Sequence, residues 1–246
     1  MKLLKKMALV VSLGTLVSGV SFAEMGKEVI DPTPVCEAPF TGSVSVGYET
    51  TYLFRGADFG DDAPWAGVDL NGQLLGLDVN TGVWYINPTD DPVNSDELDV
   101  YLFVAGPDLG PFETSIGGTW FYFAEVDENV GELELDLATS LGPLDIALIT
   151  VYDLDIEGWY WEVAAGHSIA LGDCLDLVLG AGVSYGDSYY GVNGFNHAYA
   201  TAGLDVSLTE TTTLSVYVGG NWPLEDLEAQ GEDDDVHGGA SISVSF

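Results

Sequence analysis

Carboxylate side chains are the groups in this sequence best placed to do chemistry, because they far outnumber the basic ones. The chain carries 40 Asp and Glu against five Lys and Arg, and its formal net charge is −35. Many of these acids recur at every second position inside apolar segments, which places them on one side of an extended chain. A wall of carboxylates attracts cations and repels anions. The chemistry that this pattern predicts is electrostatic selection of solutes.

Arg55 is the only arginine, and it lies in the stretch 47-GYETTYLFRGADFG-60. It shares its predicted side of the strand with Glu49. An arginine among carboxylates forms bidentate hydrogen bonds, so pairing with two or more acids would pin neighbouring strands together. The alternative is a constriction residue, where a cation opposite carboxylates selects permeants by charge. We expect the pinning role and keep the constriction as the alternative.

The acids that share the polar side of the predicted strands form a larger set of candidates. They are Glu49, Asp69, Asp78, Glu97, Asp99, Glu113, Glu134, Asp136, Asp145, Glu162, Asp176 and Asp205. The same side carries the bulky residues Trp84, Tyr101, Phe103, Phe121 and Phe123. The set therefore predicts either a cation-favouring passage or an interior that its own side chains fill.

Two further kinds of site were considered. The loop 232-EDDDVH-237 holds Glu232, Asp233, Asp234 and Asp235, and clustered carboxylates suit Ca²⁺ or Mg²⁺. Their spacing is not that of an EF-hand, and runs of like charge are usually solvated. A divalent ion at the acidic loops is thus a hypothesis, and no other cofactor is expected.

Catalysis is not expected. The histidines are His167, His197 and His237, and no G-x-S-x-G or comparable nucleophile setting accompanies them. The sequence therefore predicts a protein that is not an enzyme.

The first residues indicate export. Lys2, Lys5 and Lys6 precede the apolar run 7-MALVVSLGTLVSGV-20, and 21-SFA-23 is a small-residue cleavage site. This is typical of a signal peptide, and the run is too short and too often interrupted by glycine for a membrane anchor. We predict a signal peptide at 1–23, a periplasmic segment at 24–40 and a folded domain at 41–246.

Removing the leader leaves Lys27 and Arg55 as the basic residues. Nucleic acid is excluded as a partner, because it would be repelled. An acidic surface also serves solubility in a salt-rich habitat, so habitat and ion selectivity both remain explanations of the charge. The oligomeric state is not indicated.

Period-two alternation recurs from residue 41 to the end, and turn signals divide it into about twelve strands. Short turns are predicted at 74–78, 109–113, 141–145, 171–176 and 208–214. Longer polar connections are predicted at 56–63, 88–95, 125–131, 154–157, 187–196 and 223–235. An even number of antiparallel strands suits a bacterial outer-membrane β-barrel with both termini in the periplasm.

The strands of a soluble β-sandwich also alternate apolar and polar residues. The choice between a sandwich and a membrane barrel therefore depends on the aromatic residues. The six tryptophans fall near the predicted long loops, as in the aromatic girdle of a barrel in lipid: Trp65, Trp84, Trp120, Trp159, Trp161 and Trp222. The aromatics Tyr52, Phe54, Tyr85, Tyr122, Tyr152, Tyr160, Tyr185 and Tyr199 are expected to join them. Chain end Phe246 closes an alternating strand, as is common in outer-membrane barrels. We predict an all-β transmembrane antiparallel barrel in the outer membrane, with lipid as its surroundings.

The cysteines are Cys36 and Cys174, and export places them in an oxidising compartment. The sequence allows two alternatives, a disulfide between these cysteines or two free thiols. A disulfide would require the segment 24–40 to fold under the barrel.

The run 48-YETTYLFRGADFGDDAPWAGVDL-70, with 76-GLDVNTGVWYIN-87 and 97-ELDVYLFVAG-106, resembles the TorF-type putative porin family of bacterial outer membranes. Those proteins open with a Y-x-F-R-G strand, then an acidic loop, a proline and a strand with a glycine and an acid. The matching residues here are Tyr52, Phe54, Arg55, Gly56, Asp61, Pro64, Gly67 and Asp69. The resemblance implies an outer-membrane porin and names no substrate. The chain departs from that family in its acidity and in its long final loop at 223–237.

Together these observations predict a porin-like channel for passive diffusion of small cationic or neutral solutes through an acidic lumen. The alternative is a non-conducting barrel that serves as an acidic surface or adhesion scaffold with ion-binding loops. A continuous wet path past the inward aromatics would separate the two.

Overall fold

The computed structural model describes residues 40–89, 96–124 and 128–246. The predicted signal peptide at 1–23, nearly all of the predicted periplasmic segment, Lys27 and Cys36 lie outside the described residues. A periplasmic position of the termini remains a prediction.

Twelve antiparallel strands form one closed barrel, which confirms the predicted fold class. The strands are β1 Phe40–Phe54, β2 Ala57–Leu74, β3 Leu77–Ile86, β4 Glu97–Ala105, β5 Glu113–Phe123, β6 Glu128–Leu141, β7 Leu144–Asp153, β8 Trp159–Gly172, β9 Leu175–Tyr189, β10 Val192–Ser207, β11 Thr212–Pro223 and β12 Asp235–Ser245. One short helix, α1 Glu225–Gln230, lies between β11 and β12. No helix of the described ranges is long and apolar enough to cross a membrane.

The first and last strands close the ring. β1 pairs with β12 from Ser43 opposite Ser245 to Glu49 opposite Gly239. Closure leaves no sheet edge, so every strand has a hydrogen-bonding neighbour on both sides, as lipid requires.

The connections differ at the two ends of the barrel. We call the end with the β2–β3, β4–β5, β6–β7, β8–β9 and β10–β11 connections the turn end, and the other end the loop end. The five short turns lie where they were predicted, at the turn end. Two predicted loops at the loop end, at 56–63 and 187–196, are wrong.

Those two connections are tight hairpins. β1 and β2 are joined by Arg55 and Gly56 alone, and β9 and β10 by Tyr190 and Gly191. The two residues of each turn have positive φ, 50° and 89° in the first and 45° and 84° in the second. Such turns match the twist of paired strands, and a glycine at the second position adopts the required positive φ readily. Polar residues that predicted a loop at 56–63 are therefore strand residues of an extended hairpin.

The two faces follow the predicted alternation over most strands. Outer residues such as Val46 and Ile116 are 54% and 60% exposed. An apolar surface that contacts lipid is exposed in this way when the chain is considered alone. The prediction fails near the end of β1, where a bulge lies between Thr51 and Leu53. Because a bulge reverses the alternation, Tyr52 points inward and is 1% exposed instead of joining the outer aromatics.

Glycines on the inner face make room for large side chains on the next strand. In each case an inward aromatic ring covers the glycine directly opposite it in the register, so that a Cβ there would come within 3.0 Å of the ring or its hydroxyl. The pairs are Gly47–Trp65, Gly67–Trp84, Gly82–Tyr101, Gly117–Phe103, Gly182–Tyr199 and Gly239–Tyr217. This arrangement lets a narrow barrel hold bulky aromatics without widening.

Candidate functional site

The interior of the barrel has two different halves. Toward the turn end it is lined by small polar residues that stay partly exposed, such as Ser45, Thr201 and Ser215. Toward the loop end it is packed with aromatic and acidic side chains, and Tyr160 and Glu97 there are each 1% exposed. The interior is therefore closed by side chains toward the loop end and partly filled toward the turn end, where Phe103 and Ser115 are each 1% exposed beside the half-buried small residues.

The strand register places all twelve predicted lumen acids on the inner face. The five bulky residues that were predicted to narrow the lumen also point inward: Trp84, Tyr101, Phe103, Phe121 and Phe123. Their role at a constriction remains a prediction.

Many of these acids accept a hydrogen bond from a hydroxyl or indole elsewhere on the inner face of the barrel. Glu49 accepts from Trp65 Nε1 at 2.9 Å and from the hydroxyl of Tyr217. Glu162 accepts from the hydroxyls of Tyr160 at 2.5 Å and Tyr199 at 2.7 Å. Neutral donors fix these carboxyl groups in place and bring no positive charge to them.

The same pattern continues around the barrel. Asp69 accepts from Tyr101, Glu97 from Tyr52 at 3.0 Å, Asp136 from Ser115 at 2.8 Å, Asp145 from Ser140 at 2.5 Å and Asp205 from Ser215 at 2.6 Å. Within this set of acids, three buried oxygens have no hydrogen-bond partner among the described residues: Oδ1 of Asp99, Oε1 of Glu134 and Oδ1 of Asp136. The interior thus has unused acceptors for a positively charged group.

Arg55 is the single basic residue among positions 40–246, and its guanidinium is buried at the loop end. Nη1 and Nη2 donate to the two carboxylate oxygens of Glu132 on β6, at 2.5 and 2.6 Å. The guanidinium also lies over the rings of Phe54, Tyr160 and Tyr189, with Cζ 4.8, 4.7 and 5.2 Å from the ring centroids. Bidentate pairing and contact with aromatic faces are the two interactions that suit arginine best.

This geometry corrects the predicted role of Arg55. It forms an ion pair with one carboxylate in the described residues rather than with two or more, and that carboxylate is not on a neighbouring strand. The bulge and the tight turn direct Arg55 across the barrel mouth, from the β1–β2 turn to β6, β8 and β9. Burial by itself would lower the pKa of this turn residue, but the charge of Glu132 outweighs burial and keeps the pKa well above its usual value. Arg55 is therefore always positively charged.

The tip of this hairpin, residues 53–58, is called the arginine hairpin below. Its backbone is fastened to strands β10 and β11, because Asn196 Nδ2 donates to the carbonyl of Arg55 at 2.7 Å and Asn221 Nδ2 donates to that of Gly56 at 3.0 Å. Gly56 lies against the ring of His197 so closely that a Cβ would come 2.6 Å from Cγ. The hairpin is held as a plug in the loop-end mouth.

The β11–β12 connection covers the same mouth from outside the strands. Glu232 accepts from the backbone N–H of Asp58 at 3.0 Å, and Glu225 and Asp226 of α1 accept from those of Phe195 at 2.7 Å and Asn193 at 3.0 Å. In the described part of the chain, no three acidic, histidine or cysteine side chains come together as a metal site would require. A divalent ion at Glu232, Asp233, Asp234 and Asp235 remains a prediction.

The predicted girdle is divided between the two faces. Trp120, Trp159, Trp161 and Trp222 lie on the outer face, and Tyr152, Trp159, Trp161, Tyr185 and Phe195 form a continuous outer ribbon with ring centroids 4.8 to 6.1 Å apart. Trp65 and Trp84 are inner residues, so their placement in the girdle is wrong. The long strand β2 puts Trp65 in mid-strand, where the alternation turns it inward onto Glu49.

Four of the aromatics expected beside the girdle also lie elsewhere. Tyr52, Tyr160 and Tyr199 point into the barrel, and Phe54 belongs to the arginine hairpin. Tyr85 and Tyr122 lie on the outer face with Tyr152 and Tyr185.

Sequence reasoning missed Glu132, Tyr189, Asn196 and Asn221. Glu132 has the same parity as Glu134 and Asp136, so a strand boundary placed a few residues earlier would have included it. No local signal identifies Tyr189, because its role depends on the β1–β2 turn reaching across the barrel.

The remaining candidates are peripheral. His167 is on the outer face, opposite Leu179. Cys174 lies exposed in the β8–β9 turn, and its pairing with Cys36 remains a prediction because Cys36 is outside the described residues.

The barrel is similar to solved porin structures. A KdgM porin superposes with a TM-score of 0.54 at 12% identity, over 83% of this chain and 99% of that one. A KdgM porin in complex with disordered oligogalacturonate gives 0.52 at 10% identity over 83% and 99%, and a NanC porin gives 0.51 at 11% over 83% and 98%. At these identities the likeness shows a shared outer-membrane porin fold. No protein-family model and no curated protein matches the chain, so the resemblance to the TorF-type family remains a prediction.

Proposed function

We propose that this protein is a porin-like outer-membrane channel whose acidic interior passes small cationic or neutral solutes and disfavours anions. The porin fold supports the channel, and the inner face supports the selectivity. No enzymatic role is proposed, because the buried acids are held by structural hydroxyl donors. The pair of Ser184 Oγ and His197 Nδ1, 2.7 Å apart, is itself buried in the packed wall, at 2% and 1% exposure.

The observation that carries the proposal is the imbalance of charge on the inner face. The twelve predicted lumen acids point inward, as do Glu132 and Asp153, and the one arginine there is already paired with Glu132. Inside a twelve-stranded barrel, charges on the wall act across the whole bore, because the screening length at physiological salt is about 8 Å. A cation entering from the turn end therefore meets an attractive wall along most of its path.

The same imbalance separates this chain from a porin that takes an acidic sugar chain. Oligogalacturonate, the ligand in one of the similar structures, carries a carboxylate on each sugar. An interior lined by Glu49, Asp69, Asp205 and their neighbours would repel it. The solute proposed here is accordingly of opposite charge or neutral.

The arginine hairpin supports one feature of the second candidate function, a non-conducting acidic scaffold: it fills the mouth of the barrel. With the plug docked, the loop-end mouth is filled by Arg55, Tyr160, Tyr189 and the groups around them. We treat the docked form as the closed state of the channel, since only non-covalent contacts hold the hairpin in the mouth: the Arg55–Glu132 ion pair, hydrogen bonds and ring contacts.

Solute uptake into liposomes tests the proposal. Proteoliposomes with the refolded protein are compared in swelling assays with glucosamine, glucose and glucuronate, which have similar size and charges of +1, 0 and −1 at neutral pH. We expect the rate of entry to fall in that order, because the wall carboxylates raise the local concentration of the cation and lower that of the anion. Equal rates for the three sugars, or fastest entry of glucuronate, would contradict the selectivity; no swelling with any of them would support the scaffold.

A further inference from the structure

The surroundings of Arg55 have the composition of a receptor for a cation. The carboxylate of Glu132 accepts from both terminal nitrogens of Arg55, the Tyr189 hydroxyl accepts from Nη1, and Cζ lies over the rings of Tyr160 and Tyr189. We propose that Glu132, Tyr160 and Tyr189 form a binding site for organic guanidinium or ammonium compounds, which Arg55 occupies as a tethered substitute. These three residues are called the guanidinium site below.

The guanidinium site is organised by contacts that do not involve Arg55. The hydroxyl of Tyr189 donates to Glu132 Oε1 at 2.9 Å, which orients the carboxylate. The hydroxyl of Tyr160 is fixed on Glu162, and the two tyrosine rings lie 5.4 Å apart at 49°. Each group stands on a different barrel strand, β6, β8 and β9. The site is therefore expected to keep its shape when its occupant leaves.

The occupant comes from a separate element. Arg55 is in the two-residue turn of a hairpin, and the arginine hairpin brings one further ring, that of Phe54, to the guanidinium. The fastening carbonyls of Arg55 and Gly56 would be hydrated if the hairpin moved out. A free cation and Arg55 would then compete for the same carboxylate.

The chemistry of the site selects the class of ligand. One carboxylate with two aromatic faces suits a flat or alkylated cation, which stacks on rings and donates to both oxygens. A divalent metal ion would instead need several oxygen ligands. Additional amino groups on a longer ligand would meet the unpartnered oxygens of Asp99 and Glu134 on the same inner face.

This inference deepens the proposed function by naming the class of cation that the interior recognises, and it rests on that function for the route by which a ligand arrives. The binding test itself does not need conduction. The full-length mature protein carrying Arg55→Ala is titrated in detergent with ethylguanidinium, which replaces the missing end of the arginine side chain. Ethylurea, its neutral counterpart of nearly the same shape, is the matched ligand control. Binding is followed by calorimetry and by the thermal unfolding midpoint.

We expect saturable binding of ethylguanidinium to Arg55→Ala and a rise in its unfolding midpoint, with neither effect from ethylurea. Wild type is expected to bind more weakly, because Arg55 fills the site. Glu132→Gln in the Arg55→Ala background should weaken binding by roughly tenfold or more, as loss of a hydrogen bond to a charged group does. Equal responses to the two ligands, or binding that survives Glu132→Gln, would overturn the inference.

Two precautions keep the outcomes separable. Folding of each variant is checked by its heat-modifiable mobility in gels, and Arg55→Gln provides a second uncharged variant of nearly wild-type volume if Arg55→Ala does not fold. A barrel that binds ethylguanidinium but admits no solute would retain the guanidinium site and remove the channel. A barrel that admits glucosamine but does not bind ethylguanidinium would retain the channel and remove the guanidinium site.

Discussion

Replacing Glu132 with glutamine is expected to raise the conductance of the barrel in planar bilayers several-fold, because it removes the charge that holds the arginine hairpin in the mouth. Glu132 is 4% exposed and meets both terminal nitrogens of Arg55. Breaking a buried ion pair by removing one partner costs about 3 to 5 kcal/mol, since the other charge is left without compensation. Arg55 can escape that cost by moving into water with its hairpin.

The matched control for this variant is Glu128→Gln. Glu128 begins the same strand, has the same parity and is exposed, so its neutralisation changes the net charge equally without touching Arg55. The measurement is the single-channel conductance of each variant at equal salt. If Glu132→Gln conducts no better than Glu128→Gln although both are folded, the arginine hairpin is not what closes the barrel.

Replacing Gly56 with alanine is expected to open the barrel by a steric route that leaves every charge in place. Gly56 has a φ of 89°, and its Cβ would come 2.6 Å from Cγ of His197. His197 is itself 1% exposed and accepts or donates at Nδ1 with Ser184 at 2.7 Å, so it has little freedom to move away. The hairpin must therefore retreat from the wall, and Arg55 with it.

Gly76→Ala is the control for the backbone effect. Gly76 has a φ of 83° in the β2–β3 turn, and nothing lies within 4 Å of the position of its Cβ. Both alanines bear the strain of positive φ, about 1 kcal/mol, but one of them also collides with the wall. We expect higher conductance from Gly56→Ala alone, together with faster hydrogen exchange of residues 53–58. Identical conductance of the two variants would show that docking of Gly56 does not close the mouth.

The barrel itself could be predicted from the sequence because its signals are local and repeated. Alternation in stretches such as 239-GASISVSF-246 assigns each face, and the short turns at 142–143 and 173–174 follow from Gly142 with Pro143 and from Gly172 with Asp173. Lipid removes the alternatives, since only a closed sheet satisfies all backbone groups there. The twelve acids needed no more than this parity to be assigned to the inner face.

The plug could not be predicted because it depends on a bulge and on the far wall. The register shifts between Thr51 and Leu53, where β2 has one residue more than β1, and Tyr52 at this shift points inward; nothing in the alternation of β1 marks it. The residues 57–64 combine acids, glycine and proline, which favour a loop unless the partner strand is known. That Arg55 reaches Glu132, 77 positions later, is a property of barrel closure.

The divided girdle has a related cause. Tryptophan suits both an interface with lipid and a tight interior contact with glycine, so its presence near a strand end does not settle its face. Trp65 and Trp84 lie over Gly47 and Gly67 inside, while Trp159 and Trp161 stack on one another outside. The glycine directly opposite in the register distinguishes the inner pair, and that register was not known from the sequence.

The most direct test of the cation-favouring channel is the reversal potential across a potassium chloride gradient, measured in planar bilayers on wild type and on Gly56→Ala. The variant keeps every acid and serves as the open form. We predict a reversal potential directed toward the potassium equilibrium value in both, with the larger conductance in Gly56→Ala. A reversal potential directed toward the chloride value, or no conductance from either folded protein, would contradict the account.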